Sequence, residues 1–422
     1  MHAILTPVGS AGDVNPFVMI GRELRRRGHR VTLLSPDVFA SSVRKAGLQF
    51  VSTGSADDFE RVTQNPDLWD PRRGAAVVFG ELLRHMRQPY ALLEQLYEPG
   101  ETIVVGHSLS LFTRVFEETH QVAAATIHLS PTVIRSDFEQ PILPSGHDIS
   151  QWPRWIKRVL WWGIDRFAVD RLLAPELNAW RAELGLPPVS RLFKSWVHSP
   201  QRVLALFPPW FAQPQSDWPA QLRLTGFVLS DDTCAPPAGS GDTDRLNRFL
   251  GDGAPPVVFA PGSANRHATA FFQTAIDATA ALGRRALLVS PYREHLPSSL
   301  PAHVGHVPYA SFSTLFPRAA AVVHHGGIGT SAQALAAGVP QLVMPMGFDQ
   351  PDNAARLLRL DVARVVYPKK FTPPTVAAAL NQVLSSDAIA SACAFNRTRT
   401  RSDEALARSC DLLEECFRLR SR

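Results

Sequence analysis

The chain alternates short apolar runs with glycine-rich turns and longer amphipathic segments. In the first unit HAILTPV predicts a strand, GSAGDVNP a turn and FVMIGRELRRRGH a helix with one apolar face. The strand pattern recurs at RVTLLSP, TIVVGHS and AAATIHLS, and helical segments such as ALLEQLYE and LFTRVFEETHQ lie between the strands. Strands that alternate with helices in this way predict a parallel sheet covered on both faces.

The segment DDTCAPPAGSGDTD, residues 231–244, interrupts this rhythm and indicates a linker. Strand-like runs then restart at PPVVFAPGSANR, RRALLVSP, AAAVVHHGGIGT and PQLVMPM. At 422 residues the chain is long enough for two domains. We therefore predict an α/β protein of two doubly wound, Rossmann-like domains, 1–230 and 245–403, which face each other across a cleft, with a last helix at 404–422.

Composition adds few constraints, because 45% hydrophobic and 19% charged residues are ordinary for a globular protein. The opening residues do not resemble a secretory signal and no run of 18 apolar residues occurs, so a cytoplasmic protein is expected. The four cysteines lack a metal-binding spacing and are expected to be free thiols. The net charge of +5 comes from scattered arginines without a nucleic-acid-binding motif, so no nucleic acid partner is expected.

The stretch HHGGIGT, from His324 to Thr330, has the chemistry of an anion site. Glycines let the backbone approach phosphate oxygens, the start of the following helix presents N–H groups, and a hydroxyl and a histidine add donors. The stretch is neither a Walker A loop nor a G-x-G-x-x-G motif. Downstream, Asp349 and Gln350 precede a helix predicted to start near Asp352, and a carboxylate beside a carboxamide suits sugar hydroxyls. Phosphate and hydroxyl groups together indicate a nucleotide sugar.

Four motifs occur in one order along the chain: GSAGDVNPF, PGS, HHGGIGTSAQALAAGVP and DQPDNA. Together they resemble the GT-B glycosyltransferases of the family that uses UDP- and dTDP-sugars, over essentially the whole chain. The resemblance implies an inverting transfer in which Asp13 takes the proton of the acceptor hydroxyl, and His107 could complete a dyad with it. Two alternatives stay open: Asp13 only caps a helix that begins near Val14, and His107 is a structural strand-end residue.

The resemblance also assigns the donor site. It places His325 on the diphosphate with His324 as a structural neighbour, and Val307 beside the base. The family often has a glutamate for the ribose hydroxyls where this chain has Gln333, a departure that favours a dTDP-sugar over a UDP-sugar. The predicted donor set is Gly12, Ser263, Val307, His325, Gly326, Gly327, Gly329, Thr330, Gln333, Asp349 and Gln350. No metal and no cofactor is implied, since the helix N-terminus and His325 would stabilise the leaving group.

Eight of the nine tryptophans fall within residues 151–220. This stripe is either core packing, or an apolar wall for a lipidic substrate or a membrane surface. The short stretches MHAIL, GSAGDV, LWDP, HSPQ, WFAQPQSDWP and TGF also resemble those of the rhamnosyltransferases of mono-rhamnolipid synthesis. This resemblance implies dTDP-L-rhamnose as donor and a 3-(3-hydroxyalkanoyloxy)alkanoic acid as acceptor. Trp155 and Trp162 are then expected to line an acceptor channel, and Arg158 to meet the acceptor carboxylate.

Two other functions stay open on the same residues. One is a UDP-glucose-dependent transferase for a phenolic, macrolide or sterol acceptor, and the other is an inactive GT-B partner of a true transferase. The expected partners are the nucleotide sugar and a lipidic acceptor. An association with the enzyme that makes the acceptor, and a peripheral contact with the inner membrane, are left open.

Overall fold

The structure is a computed structural model that describes residues 1–142, 148–229 and 240–420. Within these residues each half of the chain builds one sheet. The first sheet has seven strands in the order β3-β2-β1-β4-β5-β6-β7, and the second has six in the order β10-β9-β8-β11-β12-β13. Every strand pairing given for the described residues is parallel. The prediction of two doubly wound α/β domains is confirmed.

The strands are β1 (His2–Thr6), β2 (Arg30–Ser35), β3 (Gln49–Ser52), β4 (Thr102–His107), β5 (Ala123–His128), β6 (Val203–Ala205), β7 (Leu222–Leu224), β8 (Val257–Ala260), β9 (Ala286–Val289), β10 (Val304–Val307), β11 (Ala321–His324), β12 (Gln341–Val343) and β13 (Ala363–Val365). Those at the centre of each sheet, such as β1, β4, β8 and β11, are buried along their whole length, because helices cover both faces.

The α-helices are α1 (Ala11–Arg26), α2 (Ala40–Lys45), α3 (Ala56–Gln64), α4 (Gly74–His85), α5 (Arg87–Leu96), α6 (Leu111–His120), α7 (Arg154–Ile164), α8 (Asp170–Glu183), α9 (Ser240–Gly251), α10 (Thr269–Ala281), α11 (Phe312–Leu315), α12 (Ile328–Ala337), α13 (Gln350–Arg359), α14 (Pro373–Ser385), α15 (Asp387–Arg399) and α16 (Ser402–Arg420). A short 3₁₀ helix covers Pro66–Trp69, and a π-helical turn at Asp165–Val169 joins α7 to α8. No helix of the described residues is long and apolar enough to cross a membrane.

The strand order fixes where a ligand is expected. In the first sheet the chain reverses direction across the sheet between β1 and β4, and in the second between β8 and β11. At such switch points the turns after neighbouring strands diverge and leave a crevice at the carboxyl ends. The β1–α1 and β11–α12 turns both lie at these points, and both carry the glycines singled out above.

The last helix, α16, packs on the first domain although it follows the second in sequence. Ala405, Cys410, Leu413 and Cys416 belong to the same buried cluster as residues of β1 and α1. On the rim, the Nη1 of Arg27 donates to Asp411 at 2.6 Å. The helix begins at Ser402, two residues before the predicted start, and ties the two ends of the described chain together.

Other boundaries differ from the sequence predictions. Of the predicted linker 231–244, residues 231–239 lie outside the described residues, and 240–244 form the first turn of α9. Three cysteines, Cys393, Cys410 and Cys416, are buried free thiols, whereas Cys234 lies outside the described residues.

The tryptophan stripe divides between core and surface. Trp161, Trp180 and Trp196 are buried, whereas Trp155 and Trp162 are 67% and 57% exposed. The π-helical turn shifts the helical register between α7 and α8, so one helical period does not describe the whole segment. Core packing therefore applies to the buried rings, and for the exposed rings the apolar wall stays a prediction.

Leu413→Ala tests the contribution of α16 to the first domain. Because Leu413 is fully buried, we expect a loss of about 2–5 kcal/mol in the free energy of unfolding, measured by urea denaturation. Leu419→Ala on the same helix is the matched control, since Leu419 is 65% exposed and its change should stay within about 0.5 kcal/mol. Equal effects of the two changes would contradict the packing of α16 described above.

Candidate active site

Two glycine turns, one from each domain, face each other across the cleft. A β-carbon placed on Gly329 would lie 3.9 Å from the Cα of Gly12, so the start of α1 and the start of α12 lie side by side. Beside them Ile328 packs against the hydrophobic core of the first domain. The carboxyl edges of the two sheets therefore meet at the predicted donor and acceptor motifs.

Asp13 lies in the first turn of α1 and is held by Ser10. The backbone N–H of Ser10 donates to Asp13 Oδ2 at 2.7 Å, and the Ser10 hydroxyl donates to the same oxygen at 3.1 Å. Gly9, at φ +132°, leaves space for this carboxylate, which a side chain at that position would meet. The helix begins at Ala11 rather than near Val14, so Ser10 is its N-cap and Asp13, the third helical residue, accepts from the N-cap backbone in a capping box. The hydrogen bonds that Asp13 accepts from the described residues both go to Oδ2.

Burial changes the acidity of two carboxyl groups in the cleft. It raises the pKa of Asp13 to about 6, against the two bonds from Ser10. It also raises the pKa of Asp349 to about 7, and the negative charge of Asp13 contributes in the same direction. The two carboxyl groups therefore sense each other across the cleft, and near neutral pH the first can be charged while the second is partly protonated.

His107 ends β4 and is almost fully buried. Its Nδ1 accepts from the backbone N–H of Leu109 at 3.3 Å, and its Nε2 lies 3.4 Å from the hydroxyl of Ser108. Burial lowers the pKa of His107 to about 4, so the ring is neutral at physiological pH. The hydrogen bonds of the described residues do not join His107 to Asp13, and the dyad stays a prediction.

The two histidines of HHGGIGT have different surroundings. His324 is fully buried, accepts from the backbone N–H of Gly326 at Nδ1 (3.1 Å) and therefore donates from Nε2 to Gln341 Oε1 (2.9 Å). His325 is half-buried, and no described residue pairs with its buried Nδ1. Burial lowers the pKa of His325 to about 4. The second ring is thus a neutral imidazole with one buried nitrogen that pairs with no described residue, whereas both nitrogens of the first are used.

Glycine is required around His325 for steric reasons. Gly262 of the PGS motif has φ +99°, and a β-carbon there would lie 2.8 Å from the imidazole Cε1. Gly326 has φ +89°, and Gly327 caps α12 and leaves no room for a β-carbon beside the same ring. Thr330 lies inside the first turn of α12, because the helix starts at Ile328. The imidazole, the backbone amides and a hydroxyl thus converge on one helix N-terminus, as an anion site needs.

Asp349 and Gln350 stand at the start of α13, which begins two residues before the predicted position. Asn353, which the sequence analysis did not single out, donates from Nδ2 to Asp349 Oδ2 at 2.7 Å and to the carbonyl of Gly326 at 3.0 Å. The Oε1 of Gln350 accepts from the backbone N–H of Met346 at 2.8 Å, which fixes its carboxamide. Asn353 thus connects Asp349, which is predicted to bind the sugar, with the glycine turn that is predicted to bind the phosphates.

The remaining predicted donor residues lie beside Gly262, on β10 and on α12. Ser263 is exposed next to Gly262, and its carbonyl accepts from the hydroxyl of Tyr292 at 3.2 Å. Val307 ends β10, and its carbonyl accepts from Ser290 N–H at 3.1 Å. Gln333 is buried on α12, one turn after Thr330. Their roles toward a nucleotide stay predictions.

The three predicted acceptor residues lie on the outer side of α7. Trp155 is mostly exposed, and the ring contact of Trp162 is with Phe167, at 5.6 Å between centroids. Arg158 pairs with Asp137 at 2.7 Å. The contacts of the described residues do not join these side chains to Asp13, and their acceptor role stays a prediction.

Two known protein families match this chain, one in each half. Residues 3–90 match the family described as glycosyltransferase family 28 N-terminal domain, and residues 276–410 match the erythromycin biosynthesis protein CIII-like, C-terminal domain. The O-mycaminosyltylonolide 6-deoxyallosyltransferase of Streptomyces fradiae is 30% identical over 429 aligned positions, which cover 98% of this chain and 97% of the relative.

Solved structures share the fold over the whole chain. The glycotransferase of kitacinnamycin superposes with a TM-score of 0.72 at 23% identity, covering 99% of both chains. The spinosyn rhamnosyltransferase SpnG superposes with a TM-score of 0.66 at 18% identity, covering 97% of this chain and 100% of the other. None of these similarities shows a particular closeness to the rhamnosyltransferases of mono-rhamnolipid synthesis.

The acid limb of the pH profile tests Asp13. A base must be deprotonated to act, so we expect kcat/KM to rise with pH through an apparent pKa near 6 and to fall about tenfold per pH unit below it. Asp13→Asn should lower kcat by about 10² to 10⁴-fold. It should not lower the melting temperature at pH 8, because the amide replaces a carboxylate whose charged form burial disfavours. Retained turnover in this variant would exclude Asp13 as the base.

Removal of the His325 imidazole tests the diphosphate contact. His325→Ala should weaken the binding of free dTDP or UDP by about 10- to 100-fold in calorimetry, the cost of losing one hydrogen bond to a charged group. His85→Ala is the control, since His85 lies on α4 in the other domain and its side chain is 36% exposed. If both variants bind dTDP equally well, His325 does not contact the diphosphate.

Proposed function

Because the chain belongs to the GT-B glycosyltransferases that combine a family 28 amino-terminal domain with an erythromycin CIII-like carboxyl-terminal domain, we propose which sugar it transfers and to what. The donor is dTDP-L-rhamnose, and the acceptor is a hydroxyl group of a lipidic molecule such as a 3-(3-hydroxyalkanoyloxy)alkanoic acid. The product would be a mono-rhamnolipid, formed with inversion at the sugar carbon.

One observation carries the proposal of sugar transfer: Asp13 follows Gly12, which lies beside the start of α12, and its charge helps to raise the pKa of Asp349 in the other domain. The acceptor hydroxyl would lie between Asp13 and the sugar. Its oxygen forms a bond to the sugar C1 while the bond from C1 to the diphosphate oxygen breaks, and its proton goes to Asp13 Oδ1. Attack opposite to the leaving group gives inversion.

The donor turn stabilises the leaving diphosphate in this scheme. The N-terminus of α12 supplies backbone N–H groups and the positive end of its dipole, and His325 supplies a neutral imidazole N–H. Asp349 accepts from a sugar hydroxyl, and the NH₂ group of Gln350 donates to one, because its carbonyl oxygen is already used. The scheme uses side chains and backbone alone, and no metal enters it.

Two features favour a dTDP-deoxysugar as the donor. Gln333 replaces the glutamate of the family's ribose contact, and a neutral amide is the weaker acceptor for a 2′-hydroxyl. The 30%-identical relative is named as a 6-deoxyallosyltransferase and a structural neighbour as a rhamnosyltransferase, so both transfer 6-deoxyhexoses. L-Rhamnose belongs to the same chemical class.

The proposal of a lipidic acceptor is based on the exposed surface of α7 and the segment that follows it. Trp155, Val159, Trp162 and Phe167 are each between 57% and 67% exposed, a concentration of apolar side chains unusual for a surface helix. Such a face could receive alkyl chains, either from the acceptor itself or from the inner membrane in which the acceptor dissolves. The protein would then work at the cytoplasmic side of that membrane.

A panel of donors and acceptors tests the proposal. The protein is assayed with dTDP-L-rhamnose, dTDP-glucose and UDP-glucose, each combined with a hydroxyalkanoyloxyalkanoate, a macrolactone and a phenol, and the product is identified by mass spectrometry. We expect turnover with dTDP-L-rhamnose and the lipid, and at least tenfold lower kcat/KM for the other donors. Asp13→Asn is the inactive control.

Other results select other functions. Turnover only with UDP-glucose and the phenol or macrolactone would replace the rhamnolipid proposal by the alternative enzyme. Binding of dTDP without turnover in any combination would favour an inactive partner of a transferase.

A further inference from the structure

A short arm of the first domain reaches the donor side of the cleft. It consists of α3 and the 3₁₀ helix Pro66–Trp69, and includes the LWDP motif. Asn65 Oδ1 accepts from the N–H of Asp67 at 2.9 Å, and Asp70 Oδ1 accepts from the N–H of Arg72 at the same distance. Side chains therefore hold the backbone on both sides of the 3₁₀ helix, which fixes the position of Trp69.

Trp69 contacts Phe348 of the second domain. The ring centroids lie 5.6 Å apart, with planes inclined at 75°, an edge-to-face pair. A β-carbon on Gly347 would lie 4.0 Å from the Trp69 carbonyl, so the two backbones are also close. This pair is one of the points where the first domain touches the loop between β12 and α13.

Phe348 has an unusual backbone conformation. Its φ of +56° lies in the left-handed region, which residues other than glycine rarely adopt and which persists only when surrounding contacts hold it. The next residue is Asp349, so the conformation of Phe348 sets where that carboxylate begins. The ring of Trp69 is the neighbour that holds the Phe348 side chain from across the cleft.

The indole nitrogen of Trp69 is the second observation. Trp69 Nε1 is a buried donor that pairs with no described residue. A buried donor left without a partner is costly, and a ligand oxygen beside it removes that cost. The same arm makes another contact with the donor domain, since Glu60 pairs with Arg266 at 3.3 Å, three residues after Ser263.

We propose that Trp69 is a positioning and specificity residue of the donor-sugar pocket. Its ring closes the pocket from the acceptor domain, holds Phe348 in the left-handed conformation and thereby orients Asp349. The apolar rings of Trp69 and Phe348 receive the methyl group at C6 of a 6-deoxyhexose, while the indole N–H donates to a sugar oxygen. The selection of a 6-deoxy sugar rests on the function proposed above, whereas the positioning of Asp349 applies to any donor.

A double-mutant cycle on Trp69 and Phe348 tests the pair. We expect Trp69→Ala to lower kcat/KM for dTDP-L-rhamnose by about tenfold or more, and to lower the ratio of dTDP-L-rhamnose to dTDP-glucose turnover. Phe348→Ala should have a similar effect, and the double variant should be little worse than either, because both remove one shared contact. Trp69→Phe keeps an aromatic ring and should restore most of the activity of the alanine variant.

Two measurements separate this role from a merely structural one. Binding of free dTDP, which has no hexose, should stay within about twofold of wild type in every variant, and it also reports whether each variant is folded. Phe395→Ala is the matched control, since Phe395 is 61% exposed on α15. It should leave both the turnover and the donor ratio unchanged.

Three outcomes would overturn the proposal. These are additive effects in the cycle, an unchanged donor ratio in Trp69→Ala, and a loss of dTDP binding equal to the loss of turnover. If wild type instead prefers a 6-hydroxylated donor, the proposed donor and the 6-deoxy selection are both wrong. The double-mutant cycle is then repeated with that preferred donor. Coupled effects of the Trp69 and Phe348 changes support the positioning of Asp349, and additive effects exclude it.

Discussion

The close approach of Gly12 and Gly329 is the constraint on which the cleft depends. A β-carbon on Gly329 would lie 3.9 Å from the Cα of Gly12, an ordinary van der Waals distance, so the starts of α1 and α12 lie side by side. Ile328, next to Gly329, packs against the hydrophobic core of the first domain and holds this arrangement. Asp13 follows Gly12 in α1, and His325 lies three residues before the start of α12. The packing of α12 on the first domain therefore sets the distance between the candidate base and the candidate leaving-group site.

The sequence was sufficient for the sheets and for the glycine turns, because strand runs, helical periods and glycines each have a local physical cause. The predicted starts of α1 and α13 were three and two residues late, because the first helical hydrogen bonds form within segments whose glycine and aspartate residues are typical of turns. The sequence did not show which tryptophans are buried and which are exposed, because a π-helical turn changes which side of the segment faces the core. The contact between Trp69 and Phe348 could not be predicted, because it joins distant parts of the chain and the left-handed residue is not glycine.

Asn353 joins the two halves of the candidate nucleotide-sugar site. Its amide group donates both to the carbonyl of Gly326, in the turn predicted to bind the phosphates, and to the carboxylate of Asp349, which is predicted to bind the sugar. If either this turn or the start of α13 shifted, one of the two hydrogen bonds would lengthen. At the same time the charge of Asp13 in the first domain helps to raise the pKa of Asp349, so proton uptake by one carboxyl group changes the pKa of the other. The candidate donor site is thus linked by hydrogen bonds within the second domain and by charge to the first domain.

The position of α16 has a consequence for synthesis on the ribosome. The core of the first domain includes Leu413 and Cys416, which are translated only after the whole second domain. At about 5–20 residues per second, the second domain takes on the order of ten seconds or more to appear, and during this time the surface that α16 covers on the first domain stays open. The first domain, although made first, is thus completed last, and a nascent chain has a prolonged need for chaperone protection.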